Sequence, residues 1–199
     1  MNNSKTSINI RNLSPLSLLV LTACGGGTST ISTFLTSASG KVIKGPLNNA
    51  LVGLDYDGDG VVDSATVRTD ANGAYSISTT QKTYTVIAIT DESTVDTSSG
   101  TVLSGVTLKA PEGATVITPT TTLMKESNLT VEQVASVLGL PDGVDPLTFN
   151  PFADGVSASD ALAVEKASQQ VMSVVNAFAS AAEGAGATEA AAYTAALNS

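Results

Sequence analysis

Four aspartates share one short, glycine-containing segment, and their spacing is typical of metal binding. Counting from Asp55, carboxylates stand at positions 1, 3, 5 and 9. Gly60 at position 6 permits a sharp turn, and the backbone carbonyl of Val61 at position 7 offers a further oxygen. Calcium takes about six to eight hard oxygen ligands, and alternate residues of a tight loop can direct theirs at one centre. The segment therefore predicts a calcium site made by Asp55, Asp57, Asp59, Val61 and Asp63.

The spacing resembles the first half of an EF-hand-type loop, but the final ligand of that motif is missing. Position 12 is Thr66, where such a loop carries a bidentate carboxylate. The missing carboxylate predicts a weak site of the extracellular kind, with Kd on the order of 10⁻⁴ to 10⁻³ M. Other acids could complete the ligand set, namely Asp70 or a member of the group Asp91, Glu92 and Asp96. The alternative is an acidic turn that binds no ion.

The single cysteine, Cys24, is the second residue with distinctive chemistry. Lys5 and Arg11 precede an apolar run that ends at Leu21 and is shorter than the roughly 20 residues of a membrane-spanning helix. This order predicts a secretory signal over residues 1–23. The tetrapeptide Leu21-Thr22-Ala23-Cys24 resembles the bacterial lipobox. The resemblance implies cleavage before Cys24, a diacylglyceryl thioether on its sulfur and acylation of the new amino group. A buried free cysteine is the alternative.

The location of the mature chain follows from the same segment. Residues 24–38 are rich in Gly, Ser and Thr, which predicts a flexible tether between the lipid and the folded part. Gly25 stands where some Gram-negative lipoproteins carry the Asp that retains them at the inner membrane. We therefore expect an envelope protein that is anchored to a membrane by its lipid, with the outer membrane or the cell surface favoured.

Composition excludes several classes of function. The formal net charge is −9, and all eighteen acidic residues follow Cys24, which argues against binding nucleic acid or an anionic lipid surface. The chain has no His, and its one thiol is predicted to be lipidated, which excludes His/Cys zinc sites and Ser-His-Asp or Cys-His catalytic devices. We expect no enzymatic activity. A lipidated Cys24 leaves no disulfide, so a bound metal is a candidate staple for the fold.

The elements that position these residues begin with a strand-rich region over residues 39–110. Short runs of β-branched residues alternate with Gly, Asn and Asp clusters, and Asp70-Ala71-Asn72-Gly73 supplies turn chemistry. Six or seven such runs predict an antiparallel β-sandwich. Gly45–Val52, the acidic loop and Thr69–Tyr75 resemble the prealbumin-like sandwiches of bacterial surface proteins, which include carboxypeptidase regulatory-like domains and adhesin B-type repeats. The likeness to the adhesin repeats implies calcium loops between strands.

Residues 111–199 predict a small all-α region, so the fold class is α+β. Thr118 or Thr120 is the expected cap of a first helix, and Thr130 with Gln133 has capping-box spacing for a second. A long helix over about 159–182 presents an apolar stripe, and an Ala-rich helix follows near Thr188. The stripe comprises Ala161, Val164, Ala167, Val171, Val174, Val175 and Phe178. The order of these elements resembles a region that follows such β-modules in large surface proteins of aquatic bacteria.

Together these features predict a non-catalytic surface lipoprotein with a calcium-stabilised β-sandwich, which serves adhesion or envelope organisation. The alternatives are a module that binds a surface protein or a glycan, or an accessory part of a larger secreted protein. The chain has no Trp and four Tyr, which counts against the aromatic platforms of sugar sites. Paired carboxylates can also act in glycosidases, but here they crowd one turn, where metal ligation is the simpler use.

Overall fold

The computed structural model describes residues 35–187, so the signal 1–23, Cys24, most of the tether and the helix expected near Thr188 lie outside it. Ten strands and three helices follow one another in the described part. The strands are β1 Thr36–Val42, β2 Leu47–Asn48, β3 Leu51–Asp55, β4 Val67–Arg68, β5 Ala74–Thr79, β6 Thr85–Ile89, β7 Val95–Asp96, β8 Thr101–Val102, β9 Thr107–Pro111 and β10 Val116–Ile117. The helices are α1 Pro119–Ser127, α2 Val131–Leu138 and α3 Ala158–Gly184.

The strands form three sheets, and most neighbouring pairs are antiparallel. The four-stranded sheet has the order β4-β3-β6-β9, and the three-stranded sheet has the order β10-β1-β5. A small sheet joins β2, β7 and β8. Only β1 and β10 run parallel within these sheets of the described part. Antiparallel sheets followed by helices confirm the predicted α+β class.

The strand region is longer at both ends than the sequence pattern indicated. β1 begins at Thr36, inside the segment predicted as tether, and β10 extends the strands to Ile117, beyond the boundary at 110. The start of β1 is Thr36-Ser37-Ala38-Ser39, which has little intrinsic strand preference. Its pairing with β5 supplies the missing stabilisation, because every residue from Thr36 to Lys41 has a partner on that strand. Tertiary pairing therefore decides the conformation of this segment.

One hydrophobic cluster joins the sheets to the long helix. The four-stranded sheet contributes fully buried side chains from three adjacent strands, Val52, Leu54, Val86, Ala88 and Leu108. The helix α3 contributes Val171, Met172, Val175 and Ala179 to the same cluster. Burial of this apolar surface is the main source of stability available to a chain of this size. No helix within residues 35–187 combines the length and apolar character needed to cross a membrane.

The two short helices begin as the sequence predicts. The Thr118 hydroxyl accepts from Thr121 N at 3.0 Å, and the Thr121 hydroxyl accepts from Thr118 N at 2.8 Å. Thr130 and Gln133 form the predicted capping box of α2. Helix α1 also satisfies the outer edge of β9, because Lys109 N donates to the Thr122 hydroxyl and Lys109 O accepts from the Thr121 hydroxyl. The helix thus covers a sheet edge that would otherwise be open.

The predicted stripe of α3 is only partly correct. Val164, Ala167, Val171 and Val175 are buried, as expected. Val174 and Phe178 belong to the predicted apolar stripe but not to the core, since their side chains are 56% and 54% exposed. Met172 and Ala179 are buried instead, together with Ser168. A helix that packs on one layer buries a single face, and the apolar residues of this helix extend around more than that face.

The turn before β5 predicts a large cost for a glycine substitution. Gly73 has a φ of 75°, and an added Cβ would lie 2.5 Å from the carbonyl oxygen of Val42. Gly113 has a similar φ of 82° but no neighbouring atom within 4 Å of the added Cβ. We expect Gly73→Ala to lower the free energy of unfolding by about 1–3 kcal/mol more than Gly113→Ala, because only the first adds a clash to the backbone strain. Urea unfolding of both variants measures the difference, and equal losses would contradict this packing.

Candidate metal centre

The acidic segment begins at the last residue of a central strand. Asp55 ends β3, pairs with Thr85 of β6 and is only 2% exposed. The residues from Asp57 to Val61 are exposed. The first predicted ligand is therefore held by the sheet, whereas the others belong to a solvent-facing loop.

The Asp55 carboxylate organises the loop that follows it. Its Oδ1 accepts from Gly58 N at 2.7 Å, and its Oδ2 accepts from Gly60 N at 3.0 Å. Hydrogen bonds from N–H groups to an ionised carboxylate are stronger than bonds between neutral groups. Both glycines adopt positive φ, of 82° and 87°, a backbone conformation that other residues rarely adopt. Two hydrogen bonds to one buried carboxylate thus fix the backbone of the five residues from Tyr56 to Gly60.

The end of the loop returns to the same strand. Asp63 N donates to Leu54 O at 2.9 Å, and Asp63 Oδ2 accepts from Tyr56 N at 2.7 Å. Val62 packs against Gly53, where an added Cβ would lie 2.2 Å from its side chain. These contacts bring position 9 of the loop beside position 1, although the two residues are separated along the chain.

Three carboxylates converge as a result. Asp55, Asp57 and Asp63 each present one oxygen, and these oxygens lie within 4.8 Å of one another. Calcium–oxygen distances of about 2.3–2.6 Å place ligands on opposite sides of one ion about 5 Å apart. The three oxygens are therefore close enough to one another to be ligands of a single metal ion.

The other two predicted ligands are placed differently. Asp59 does not belong to this group of three, and its Oδ1 accepts from Val61 N at 2.7 Å. Asp59 instead lines, with Asp55, a groove of about 450 Å³ between the loop and the end of α1. Val61 exposes its side chain, and the contribution of its carbonyl stays a prediction.

Three of the four acids considered as completing ligands have other partners. Asp70 accepts from backbone N–H groups of its own turn. Asp91 pairs with Arg68 at 2.7 Å, and this hydrogen bond holds the pKa of the carboxyl well below its usual range. Asp96 is buried beside Lys44, with 3.9 Å between Nζ and Oδ2. Glu92 is exposed and likewise outside the group of three.

Sequence reasoning missed a charged pair on the rim of the groove. Lys109 Nζ lies 2.6 Å from Glu126 Oε1, and the same nitrogen is 3.6 Å from the position that a Cβ on Gly60 would take. An ammonium group so close to the loop reduces its negative potential, while Glu126 holds that group to the helix side. Lys109 belongs to β9 and Glu126 to α1, so only the tertiary fold brings them to the loop.

Comparisons of the chain with protein-family models, with curated proteins and with solved structures found no match. Function therefore has to follow from the residues and geometry of the chain itself. The described feature with the most definite chemistry is the group formed by Asp55, Asp57 and Asp63.

The loop geometry predicts different roles for two of its aspartates in the absence of metal. Asp55→Asn keeps the size of the side chain but turns an amide towards one of the two N–H donors. We expect this buried change to lower the free energy of unfolding by about 1–3 kcal/mol in EDTA. The control Asp59→Asn affects one exposed hydrogen bond and should cost less than about 0.5 kcal/mol. Urea unfolding in EDTA compares them, and a neutral Asp55→Asn would show that this carboxylate does not organise the loop.

Proposed function

We propose that the protein is a non-catalytic, lipid-anchored surface protein of the bacterial envelope, with a β-module stabilised by calcium at the acidic loop. The convergence of Asp55, Asp57 and Asp63 within 4.8 Å carries this proposal. The module serves adhesion or the organisation of the envelope, outside the cytoplasm, where calcium reaches millimolar levels that suit a weak site.

Calcium suits the loop better than magnesium does. Magnesium demands near-ideal octahedral geometry at about 2.0–2.1 Å, whereas calcium accepts irregular sets of six to eight oxygens. The loop offers one rigid carboxylate and two exposed ones, and solvent can supply the remaining ligands. Three nearby carboxylates repel one another, and a divalent cation relieves that repulsion. The ammonium group of Lys109 and the missing position-12 carboxylate both weaken the affinity.

The two larger sheets support a sandwich of the prealbumin-like kind. Buried residues of the three-stranded sheet, such as Val42 and Ile77, belong to the same hydrophobic cluster as Leu54 and Leu108 of the four-stranded sheet. Two sheets that share one apolar core are the architecture of a sandwich. Adhesin B-type repeats, which the sequence resembles, place calcium loops between strands of such a scaffold.

The proposed lipid anchor determines where the β-module is located. A lipid on Cys24 holds the chain to a membrane, and the tether allows the folded part to reach a partner, either a surface protein or a glycan. Two or more acyl chains make such attachment stable, whereas a single chain binds reversibly.

Calcium binding to the folded state predicts a rise in melting temperature. At a concentration of about ten times Kd, mass action stabilises the fold enough to raise Tm by roughly 3–6 °C over the value in EDTA. The soluble chain from Gly25 should show this rise, and the variant Asp57→Asn plus Asp63→Asn should lose it. The matched control is Asp142→Asn plus Asp154→Asn, which removes the same charge from two exposed positions far along the chain. Equal calcium shifts in both double variants would show that the ion does not bind at the loop.

Lipidation predicts a clear biochemical result. In a bacterium with the lipoprotein pathway, the full chain should incorporate an alkyne-labelled palmitate and fractionate with membranes. Cys24→Ser should abolish both, because no other residue of the chain carries a thiol. Cys24→Ser with an unchanged label, or wild-type chain without label, would contradict the anchor.

A further inference from the structure

The groove beside the acidic loop extends from Asp55 to the end of helix α1. Its volume is about 450 Å³, which lies within the range of roughly 300–1,000 Å³ that is usual for small-ligand sites. One wall is the loop, with Asp59 and the two glycines of positive φ, and the other is the end of α1, with Lys125 and Asn128. Asp55 belongs both to the groove and to the group of three carboxylates, so an ion held by that group borders the groove.

The floor of the groove is the outer face of the four-stranded sheet. Thr85, Ile87 and Ile89 line it, and they alternate along β6 with Val86 and Ala88, which belong to the hydrophobic cluster. Successive side chains of a strand point to opposite faces, so the three lining residues share the face that is turned away from the cluster. The floor therefore combines a hydroxyl group with aliphatic surface.

Thr85 is the part of this floor that points to a ligand. The residue is only 4% exposed, yet its hydroxyl has no hydrogen-bond partner among residues 35–187. Burial of a hydroxyl without a partner is unfavourable, and such groups are rare in folded proteins. In a residue that lines a groove, an oxygen of a bound molecule can supply the missing partner.

We propose that the groove binds a sugar with adjacent hydroxyl groups, two of whose oxygens complete the coordination of the calcium ion. This inference rests on the proposed function, because the ion is the one held by Asp55, Asp57 and Asp63. Three carboxylate oxygens leave about three or more of the six to eight ligand positions of calcium unfilled. Adjacent hydroxyls of a sugar ring hold two oxygens in a fixed geometry, so they replace water at a small cost in ordering.

Charge favours a neutral ligand over an acidic one. The three carboxylates of the group exceed by one the two positive charges of a calcium ion. The other charged residues that line the groove, Lys109, Lys125, Asp59 and Glu126, cancel one another. A carboxylate-bearing partner would therefore meet net negative charge, whereas sugar hydroxyls can accept from the ammonium groups and donate to the carboxylates.

This mode of binding does not depend on the aromatic platforms that sugar sites often use. The chain has no Trp, and none of its Tyr or Phe residues is among the described residues that line the groove. Coordination by the ion orients the ring instead. Ile87 and Ile89 offer aliphatic surface to the C–H face of the ring, so its apolar part is also removed from water.

Titration of the ¹⁵N-labelled soluble chain from Gly25 with methyl α-mannopyranoside and methyl β-galactopyranoside tests the proposal. In calcium that saturates the loop, we expect at least one glycoside to give saturable shifts of the Thr85, Ile89 and Asn128 amides, and EDTA should abolish them. Methyl 3-deoxy-α-mannopyranoside has no two hydroxyls on adjacent carbons, so it should leave these amides unmoved.

A pair of threonine variants localises the binding. Thr85→Val removes the unpaired hydroxyl and keeps the shape of the side chain, so it should weaken glycoside binding roughly three- to tenfold. The calcium midpoint at Gly58 and Gly60 should stay the same. The matched control is Thr120→Val, because Thr120 also has a buried hydroxyl without a partner but does not line the groove. It should change neither quantity.

The outcomes separate this inference from the calcium site on which it rests. Calcium shifts at Gly58 and Gly60 with no response to either glycoside would overturn the sugar site and leave the calcium site standing. No calcium shifts would overturn both. Glycoside binding that persists in EDTA, or that Thr85→Val and Thr120→Val weaken equally, would also overturn the proposal. A tri-aspartate peptide that shifts the groove amides in calcium, where the glycosides do not, would assign the groove to an acidic partner instead.

Discussion

A buried carboxylate at the end of a central strand is the constraint on which the candidate site depends. Asp55 is closed off from solvent by the four-stranded sheet, and a charge in that position needs hydrogen-bond partners. The chain supplies them from Gly58 and Gly60, five residues or fewer away. The backbone from Tyr56 to Gly60 therefore curls around the carboxylate. The bonds of Asp63 with Leu54 O and Tyr56 N then return the end of the loop to the same side. The arrangement of the possible metal ligands follows from these two sets of hydrogen bonds.

The surrounding fold gives this loop a rigid base and a charged border. Strand β3 pairs with β6 along its whole length as far as Asp55, and with β4 through Leu51 and Val52, so the loop starts from a residue that the sheet holds in place. Helix α1 closes the edge of β9 through two threonine hydroxyls, which also fixes Lys109 beside the loop. Local hydrogen bonds preorganise the carboxylates of the loop, and the positive charge of Lys109 reduces their electrostatic attraction for a cation. This combination fits the weak divalent-cation site that we propose.

The features that could be predicted from the sequence are those that depend on residues close together in the chain. The carboxylate spacing, the capping threonines Thr118 and Thr130 and the turn from Asp70 to Gly73 are short-range patterns with direct physical meaning. Prediction from the sequence failed for features that depend on contacts between segments far apart in the chain. The start of β1 becomes a strand by pairing with β5, and Lys109 meets Glu126 only through packing. Phe178 has the period of a core residue, but its side chain is 54% exposed, because periodicity does not show which apolar residues another element covers.

We propose that one calcium ion binds among Asp55, Asp57 and Asp63, and an NMR titration of the ¹⁵N-labelled soluble chain tests this binding most directly. The Gly58 and Gly60 amides donate to the first ligand, so their resonances report on the ion at the site itself. Calcium binding at this site predicts saturable shifts of these loop amides, with a midpoint on the order of 10⁻⁴ to 10⁻³ M calcium. Loop amides that do not move, or small unsaturable shifts spread over exposed acids throughout the chain, would contradict it.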